Sequence, residues 1–503
     1  ARISHDLSRH WRGVISQQGR VALEADANEA NAIAAERSRA QLLEIVGPAG
    51  APLVSAGDPD GYSVTAVTDS GGAFTGDLTI GAGALYVGGE RVVLDADVEY
   101  SGQPDWLDTD ADSLWVDVEP PAGGTNEIVY LLLREQEVGA VEDPALLDVA
   151  LGGPDTSERV RIVQHVVRQT TTAAPVSATD PFGDADLVAK WTSLGLQLDA
   201  PTMRLMSSAA LQVEGAYLGA ENQLVRVQIA SVDPQTGAPT LVWGFDNAHY
   251  LHRVVVDSTN QASGTTTLTL SNQPVDVYHQ PRAGQAVELL EGAARLDSSD
   301  YIAAAAGVVT TVTPTGGYQP DTQQLVVSTP VTAPPTQLFM RVWEDTVVYT
   351  GQAVALGDTG LQVSLTLSPT AGGGTSAYHV GDYWQFAVRA GSASAIYPER
   401  ILDAAQPPDG PRLWACPLAV VDWAASPPVT DCRQPFDSLV DARTATHISY
   451  SPSCEVLQGA ETVADALNIL CEHAEQGNDF PMALLRLFGR GVVCGLIPSI
   501  QVN

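Results

Sequence analysis

The chain has 503 residues, with 60 acidic side chains against 25 basic ones and a formal charge of −35; that length fits roughly two to four domains. A surface this acidic repels nucleic-acid phosphates and anionic lipids, which excludes both as expected direct partners. Aromatic residues make up only 6%, while the 45 glycines and 32 prolines favour many turns and short strands over long helices. Direct membrane insertion is not expected either, because no run of about 18 apolar residues is present to span a bilayer.

In chain order, residues 1–20 read as a polar arm whose large apolar groups are Trp11, Val14 and Ile15. The arm lacks the apolar core of a secretion signal, which predicts synthesis and assembly in the cytoplasm. Residues 21–46 are rich in Ala, Glu, Leu and Arg and predict a helix, stopped by Gly47-Pro48. Its small-residue stripe, Leu23, Ala27, Ala30, Ala34 and Leu42, suits close packing on a protein partner or on the chain's own β-domain. The arm and helix, 1–46, therefore form one expected segment.

Residues 47–168 predict a first β-rich domain. The run 128–133 (IVYLLL) reads as a buried strand, and 159–167 (RVRIVQHVV) alternates. A Thr/Ala/Pro-rich stretch opens an expected linker, 169–204. A second β-rich domain is expected over 205–430, from LVRVQI, TLVWGF, TTTLTL and YWQFAV with Gly and Pro punctuation. Arg226 and Arg341 within it read as partners in internal ion pairs, with acidic outside partners as the alternative. Residues 431–503 form an expected mixed segment. It contains the amphipathic helix 461–476 and an apolar ending that reads as the opening of a further module. The fold class is thus mainly β: several sandwich- or barrel-like modules, an N-terminal arm and helix, and a short helical C-terminal region.

All five cysteines lie after residue 415, at Cys416, Cys432, Cys454, Cys471 and Cys494. An odd number without a CxxC pair predicts free thiols, with a zinc site sharing His447 or His473 as the alternative. Asp108, Asp110 and Asp112 alternate, and Glu119 stands at the twelfth position, which imitates a calcium loop. Ser113 occupies the position where such loops need Gly, and Leu114-Trp115-Val116 begins a strand. An acidic turn is the preferred reading and calcium the alternative. No phosphate loop, HExxH pair or GxSxG elbow occurs, so neither an enzyme nor a cofactor is expected.

Several segments carry a family resemblance. Gly13-Val14, Gln17 to Val21, Leu23, Ala25-Asp26 and Asn28-Glu29 resemble the signature "GV-x-x-QQGRV-x-L-x-AD-x-NE". Gly81 to Gly83 with Tyr86 to Gly89, and Gln103-Pro104, are similar to the segments that follow it. Next come Glu142-Asp143-Pro144, Ala150 to Thr156, and Gly219 to Arg226. Trp243 with Asp246-Asn247, Arg341 with Trp343, and Tyr378 with Gly381 to Trp384 complete the series. The order is kept over roughly 10–430, although Val242 and Gly244-Phe245 depart from the pattern and 300–340 diverges. The segments resemble a poorly characterised family of large proteins encoded beside phage-tail-like contractile injection systems.

That resemblance implies a structural subunit in or attached to the baseplate, as wedge, cage or fibre attachment. It implies other baseplate or spike-region subunits as partners, and a homo-oligomer of threefold or sixfold symmetry. Assembly would take place in the bacterial cytoplasm, with extracellular release of the particle. The expected assembly residues are Trp11, Val14, Gln18, Arg20, Asp26, Asn28 and Glu29, with Trp and Val filling a pocket and the charges setting orientation. The alternative is a fibre-like protein binding a surface glycan or receptor through Trp106, Trp115, Trp191 or Trp384. A polysaccharide hydrolase is a third reading that no motif supports.

Overall fold

The computed structural model describes residues 5–53, 61–103, 105, 126–153, 155–171, 195–245, 251–274, 276–296, 300–315, 317–333, 337–368, 376–437, 444–446, 448–453 and 455–475. The chain divides into two compact units. One comprises Ala1–Ala51 with Asp60–Gln434, and the other Pro52–Pro59 with Pro435–Asn503. The fold is mainly β, as its composition predicts, and the strand pairs are antiparallel.

Three β-modules make up the larger unit. The first is built on a sheet ordered Arg159–Thr171, Asn126–Val138, Arg412–Val421, Arg204–Ser207, Leu196–Asp199, with Val429–Asp431 added to Arg412–Val421. The apolar run in Asn126–Val138 is continuous because both of its faces are buried. Val129, Leu131 and Leu133 face Leu78, Ile80, Leu85 and Val87 of two smaller sheets. Ile128, Tyr130 and Leu132 face Val167, Leu196 and Leu205 on the other side.

The second module is a sandwich. Its five-stranded sheet runs Asp345–Val348, Pro239–Phe245, Gln223–Val232, Tyr383–Val388, Ile396–Tyr397. The facing sheet is Ala209–Gly215, Leu361–Leu367, Val354–Ala355, and the core between them includes Val213, Val225, Val227, Leu241, Leu365, Trp384 and Phe386. In the third module, Ala286–Arg295, Leu338–Val342, Leu251–Asn260, Thr265–Leu270 and Gln324–Val327 are consecutive neighbours. Val308–Thr311 pairs back onto Ala286–Arg295, and Val312 bridges Val327, so the run closes into a small barrel around Val254, Leu268, Val287 and Met340.

The sheets cut across two expected boundaries. Arg412–Val421 lies in the expected second domain but pairs along Asn126–Val138, from Arg412 opposite Glu135 to Val421 opposite Glu127. The expected linker 169–204 contributes strand at both ends, Thr171 to one strand and Leu196–Asp199 to another, while 172–194 lies outside the described residues. The smaller unit holds the predicted amphipathic helix, Val463–Glu475. Ala466 and Leu470 pack there with Leu457 and Ala460.

The N-terminal helix runs Glu24–Val46 and closes at Gly47, whose N–H donates to the Leu43 carbonyl at 3.0 Å. Glu24 and Asp26 sit in its first turn, where carboxylates favour the positive end of the helix dipole. Only Ala25, Glu29 and Ile33 of this helix are buried, at a spacing of four residues. Ala27 and Ala34 of the predicted stripe are exposed. The helix therefore lies on the chain's own body by a narrow face. Further along, Arg39 donates to the Gly88 carbonyl at 3.2 Å, where the hairpin of Gly83–Val87 and Glu90–Leu94 turns.

Candidate functional site

Two features stand out beyond the packed cores: an exposed arm, and a chamber roofed in part by the N-terminal helix. Every residue from Leu7 to Glu24 is exposed. The arm includes Trp11 at 46% exposure, Ile15 at 89% and Val21 at 83%. Large apolar side chains in one contiguous exposed stretch mark interaction surface more strongly than singly scattered ones. Arg9 lies over the Trp11 ring at 5.2 Å, and Asp6 caps the short turn Leu7–Arg9 by accepting the Ser8 N–H at 2.9 Å. Residues 1–20 hold four arginines and a single aspartate, the reverse of the balance in the whole chain.

The seven expected assembly residues divide between two environments. Trp11, Val14, Gln18 and Arg20 lie on the exposed arm, and Asn28 lies on the exposed side of the helix. Asp26 is half-buried. Glu29 is 6% exposed and belongs to the buried face with Ala25 and Ile33. It therefore points into its own body, because helix positions four apart share a face.

The chamber has a volume of about 430 Å³ and opens between the first module, the second module and the N-terminal helix. Strand register builds one wall. Arg412 stands opposite Glu135, and two residues on, Trp414 stands opposite both Leu133 and Arg204. Because side chains alternate along a strand, Arg412 and Trp414 face the same way and meet their cross-strand partners there. The helix contributes Glu36 and Arg39; the second module contributes Trp384, Gln385 and the loop with Arg400 and Asp409.

Most of the chamber's charges are matched. Arg39 donates to Glu36 at 2.7 and 3.0 Å, Arg412 lies 3.4 Å from Glu135, and Asp409 accepts the Gln385 N–H at 2.8 Å. Burial pushes the Asp409 carboxyl up, and burial followed by the nearby Glu135 does the same to Glu90. Arg204 is different. Its guanidinium is pulled below the usual arginine range by burial and then by the positive charges of Arg412 and Arg39.

Segments that carry the family resemblance converge elsewhere, around a cavity of about 50 Å³ lined by Glu142, Arg226, Gly244, Arg341 and Trp343 among others. Glu288, wholly buried beside them, accepts from Trp343 Nε1 at 3.1 Å, Gln228 Nε2 at 3.2 Å and the Gly307 N–H at 2.9 Å. Arg341 lies 3.7 Å from the same carboxylate, and Arg226 stacks over Tyr383 at 3.8 Å. Glu142 accepts the N–H groups of Gly139 and Ala303, at 3.0 and 2.9 Å. This polar cluster joins the barrel to the sandwich. Both arginines are engaged within the chain, so they are structural here.

Among the aromatic candidates, Trp384 is fully buried and donates Nε1 to the Gln406 carbonyl at 2.8 Å, which removes it as an exposed sugar platform. Trp106, Trp115 and Trp191 lie outside the described residues, as do Asp108, Asp110, Asp112 and Glu119 of the calcium-like loop. Among the described residues, no group of three or more His, Cys, Asp or Glu side chains is placed to hold a metal. Cys416 and Cys432 are buried thiols, both pushed up to about 12, chiefly by burial; Cys471 is exposed. Also among the described residues, no helix is long and apolar enough to cross a membrane. The chamber itself had no signal in local sequence, because its wall depends on pairing between residues more than 200 positions apart.

Residues 1–184 match the family described as "Family of unknown function (DUF6519)". The match covers the arm, the N-terminal helix and much of the first module. No curated protein and no solved structure matches the chain.

Proposed function

We propose that this protein is a structural subunit of a phage-tail-like contractile injection particle, seated in or on the baseplate through its N-terminal arm. The observation that carries the reading is the uncovered stretch from Leu7 to Glu24, which holds Trp11, Ile15 and Val21 exposed within one continuous run of chain. A multi-module β-body with one exposed arm suits a part that must be locked into a larger assembly. The family resemblance across roughly residues 10–430 supplies the kind of assembly. The role is structural and not catalytic.

Charge favours other copies of the chain among the arm's partners. The arm is basic, while the rest of the chain carries nearly all of the 60 acidic residues. Opposite potentials on two surfaces steer association and fix orientation. This supports a homo-oligomer of the threefold or sixfold kind that baseplates use. Assembly in the bacterial cytoplasm, with release in the finished particle, belongs to the same reading.

The test is a triple substitution, Trp11→Ala, Val14→Ser and Ile15→Ser, introduced into the producing cell. All three side chains are exposed, so each change should move the stability of the body by no more than about 0.5 kcal/mol. Wild-type protein is expected to co-purify with sheath and tube subunits in needle-shaped particles seen by electron microscopy. The triple variant is expected to remain folded and be absent from those particles. Incorporation of the variant at wild-type level would overturn the arm as attachment element. A wild-type protein that never accompanies particles would overturn the assignment itself.

A further inference from the structure

The long hairpin of Asn126–Val138 and Arg159–Thr171 is joined by a loop that buries its base and exposes much of the rest. At the base, the buried Glu142 accepts the N–H groups of Gly139 and Ala303, and Arg253 donates to the carbonyls of Val141 and Glu142. Two short turns follow, Pro144–Leu146 and Val149–Leu151. Asp143 accepts the Ala145 N–H at 3.0 Å, and Asp148 accepts those of Ala150 and Leu151 at 2.9 and 3.1 Å. The loop backbone is thus held on the barrel, and a surface fixed in advance loses less entropy when it binds.

What the loop exposes is apolar and acidic. Val149 is 88% exposed, Leu151 69%, and Val160, just after the loop, 64%. Outside the arm, Val149 and Leu151 are the only two large apolar side chains exposed so close together in sequence among the described residues. From Gly139 to Glu158 the sequence holds Asp143, Asp148, Asp155 and Glu158 beside the buried Glu142, and no Lys, Arg or His. Arg159, which follows, donates to Ser157 Oγ and to the Glu158 carbonyl. The arm is the counterpart in both respects. From Leu7 to Leu23 it holds Arg9, Arg12 and Arg20 with no carboxylate, and Trp11, Ile15 and Val21 are exposed. Arg9 lies 3.8 Å from both Asp6 and Glu399, whereas Arg12 and Arg20 have no carboxylate at ion-pair distance among the described residues.

We infer that the arm of one copy docks on the 139–160 loop of the next copy. Trp11, Ile15 and Val21 cover Val149, Leu151 and Val160, while Arg12 and Arg20 face Asp155 and Glu158. This rests on the reading of the arm as an attachment element and names the surface that receives it. The two patches are different parts of one chain, so the contact is heterologous. Repeated from copy to copy, such a contact closes into a ring when the rotation permits.

The experiment is sedimentation velocity of the full chain over a concentration series, with far-UV circular dichroism to check the fold of each variant. The wild type is expected to associate, and less so as salt is raised. Reversing the arm (Arg12→Glu with Arg20→Glu) or the loop (Asp155→Arg with Glu158→Arg) should each weaken association about tenfold or more, since like charges then meet. The chain carrying all four substitutions should recover most of that loss, because its reversed arm again meets an opposite charge. Val149→Ser with Leu151→Ser changes exposed side chains only, should weaken association comparably, and decides the matter if a charge variant does not fold. A monomeric wild type throughout the series, wild-type association by the loop variants, or no recovery in the four-substitution chain would overturn the inference. Each of those outcomes would leave the baseplate reading standing, because that reading is decided separately by co-purification with sheath and tube subunits.

Discussion

Arg168 has none of its side chain exposed, yet it carries a full charge, and everything around it answers that charge. Its guanidinium meets Glu127 at 2.5 Å and donates to the Gly76 carbonyl at 2.8 Å, with Tyr100 and Trp423 at 5.2 and 5.5 Å from its centre. Trp423 Nε1 also donates to Glu127, at 2.7 Å. Replacing a buried ion pair as a whole can be nearly neutral, whereas removing one member strands the other charge. Arg168→Met should therefore destabilise the chain by about 3–5 kcal/mol. The double variant Arg168→Met with Glu127→Leu should recover a large part of that loss. Urea-denaturation midpoints of the wild type, the single variant and the double variant check this; equal losses in both variants would mean that packing, and not charge, dominates.

At the scale of elements, the N-terminal helix depends on two glycines in a hairpin far from it in sequence. Gly88 and Gly89 both have positive φ, +60° and +84°, a region that side chains other than Gly rarely adopt. They also permit close approach, since a Cβ at Gly89 would lie 2.3 Å from the Arg39 carbonyl oxygen and one at Gly88 would lie 2.4 Å from Trp414 Cδ1. Gly89→Ala should lift the helix from the hairpin at a cost of about 1–3 kcal/mol. The change would be read as faster hydrogen exchange across residues 30–46; Gly13→Ala, which meets only open space, should show no effect. This hairpin also shows what the sequence could reveal. Local signals were enough for the helix end at Gly47, the doubly buried strand at 128–133 and the helix at 463–475, because each depends on neighbours within a few residues. The pairing of Arg412–Val421 with Asn126–Val138 left no such trace. It moved a strand out of its expected domain and hid the opposition of Arg204 and Trp414. Glu29 was legible as part of a helix but not by face, since the helix has no strong apolar stripe to orient it.

For the molecule as a whole, pH acts on its modules through buried histidines. His165 lies in the first module and His252 in the barrel; burial depresses them to about 3 and about 4, with the positive Arg134 adding to the effect on His165. Above pH 6.5 both are neutral, folded or unfolded, and contribute no slope. As pH falls below 6.5 the unfolded chain binds protons that the folded chain refuses, so stability decreases. The loss continues until the folded imidazoles themselves protonate, near pH 4 for His252 and near pH 3 for His165. Each group adds at most about 1.4 kcal/mol per pH unit. Buried carboxyls work against this. Glu142 and Asp409 are raised by burial, so the folded chain takes up their protons first and gains stability as pH falls. Acid also relieves the mutual repulsion of a chain at −35. The informative quantity is therefore the difference between the wild type and a His165→Gln, His252→Gln variant, measured by urea denaturation from pH 7.5 to 4.5. That difference should be flat above pH 6.5 and should shift progressively in favour of the variant below it. A difference that stays constant with pH would mean that neither imidazole is held neutral by the fold.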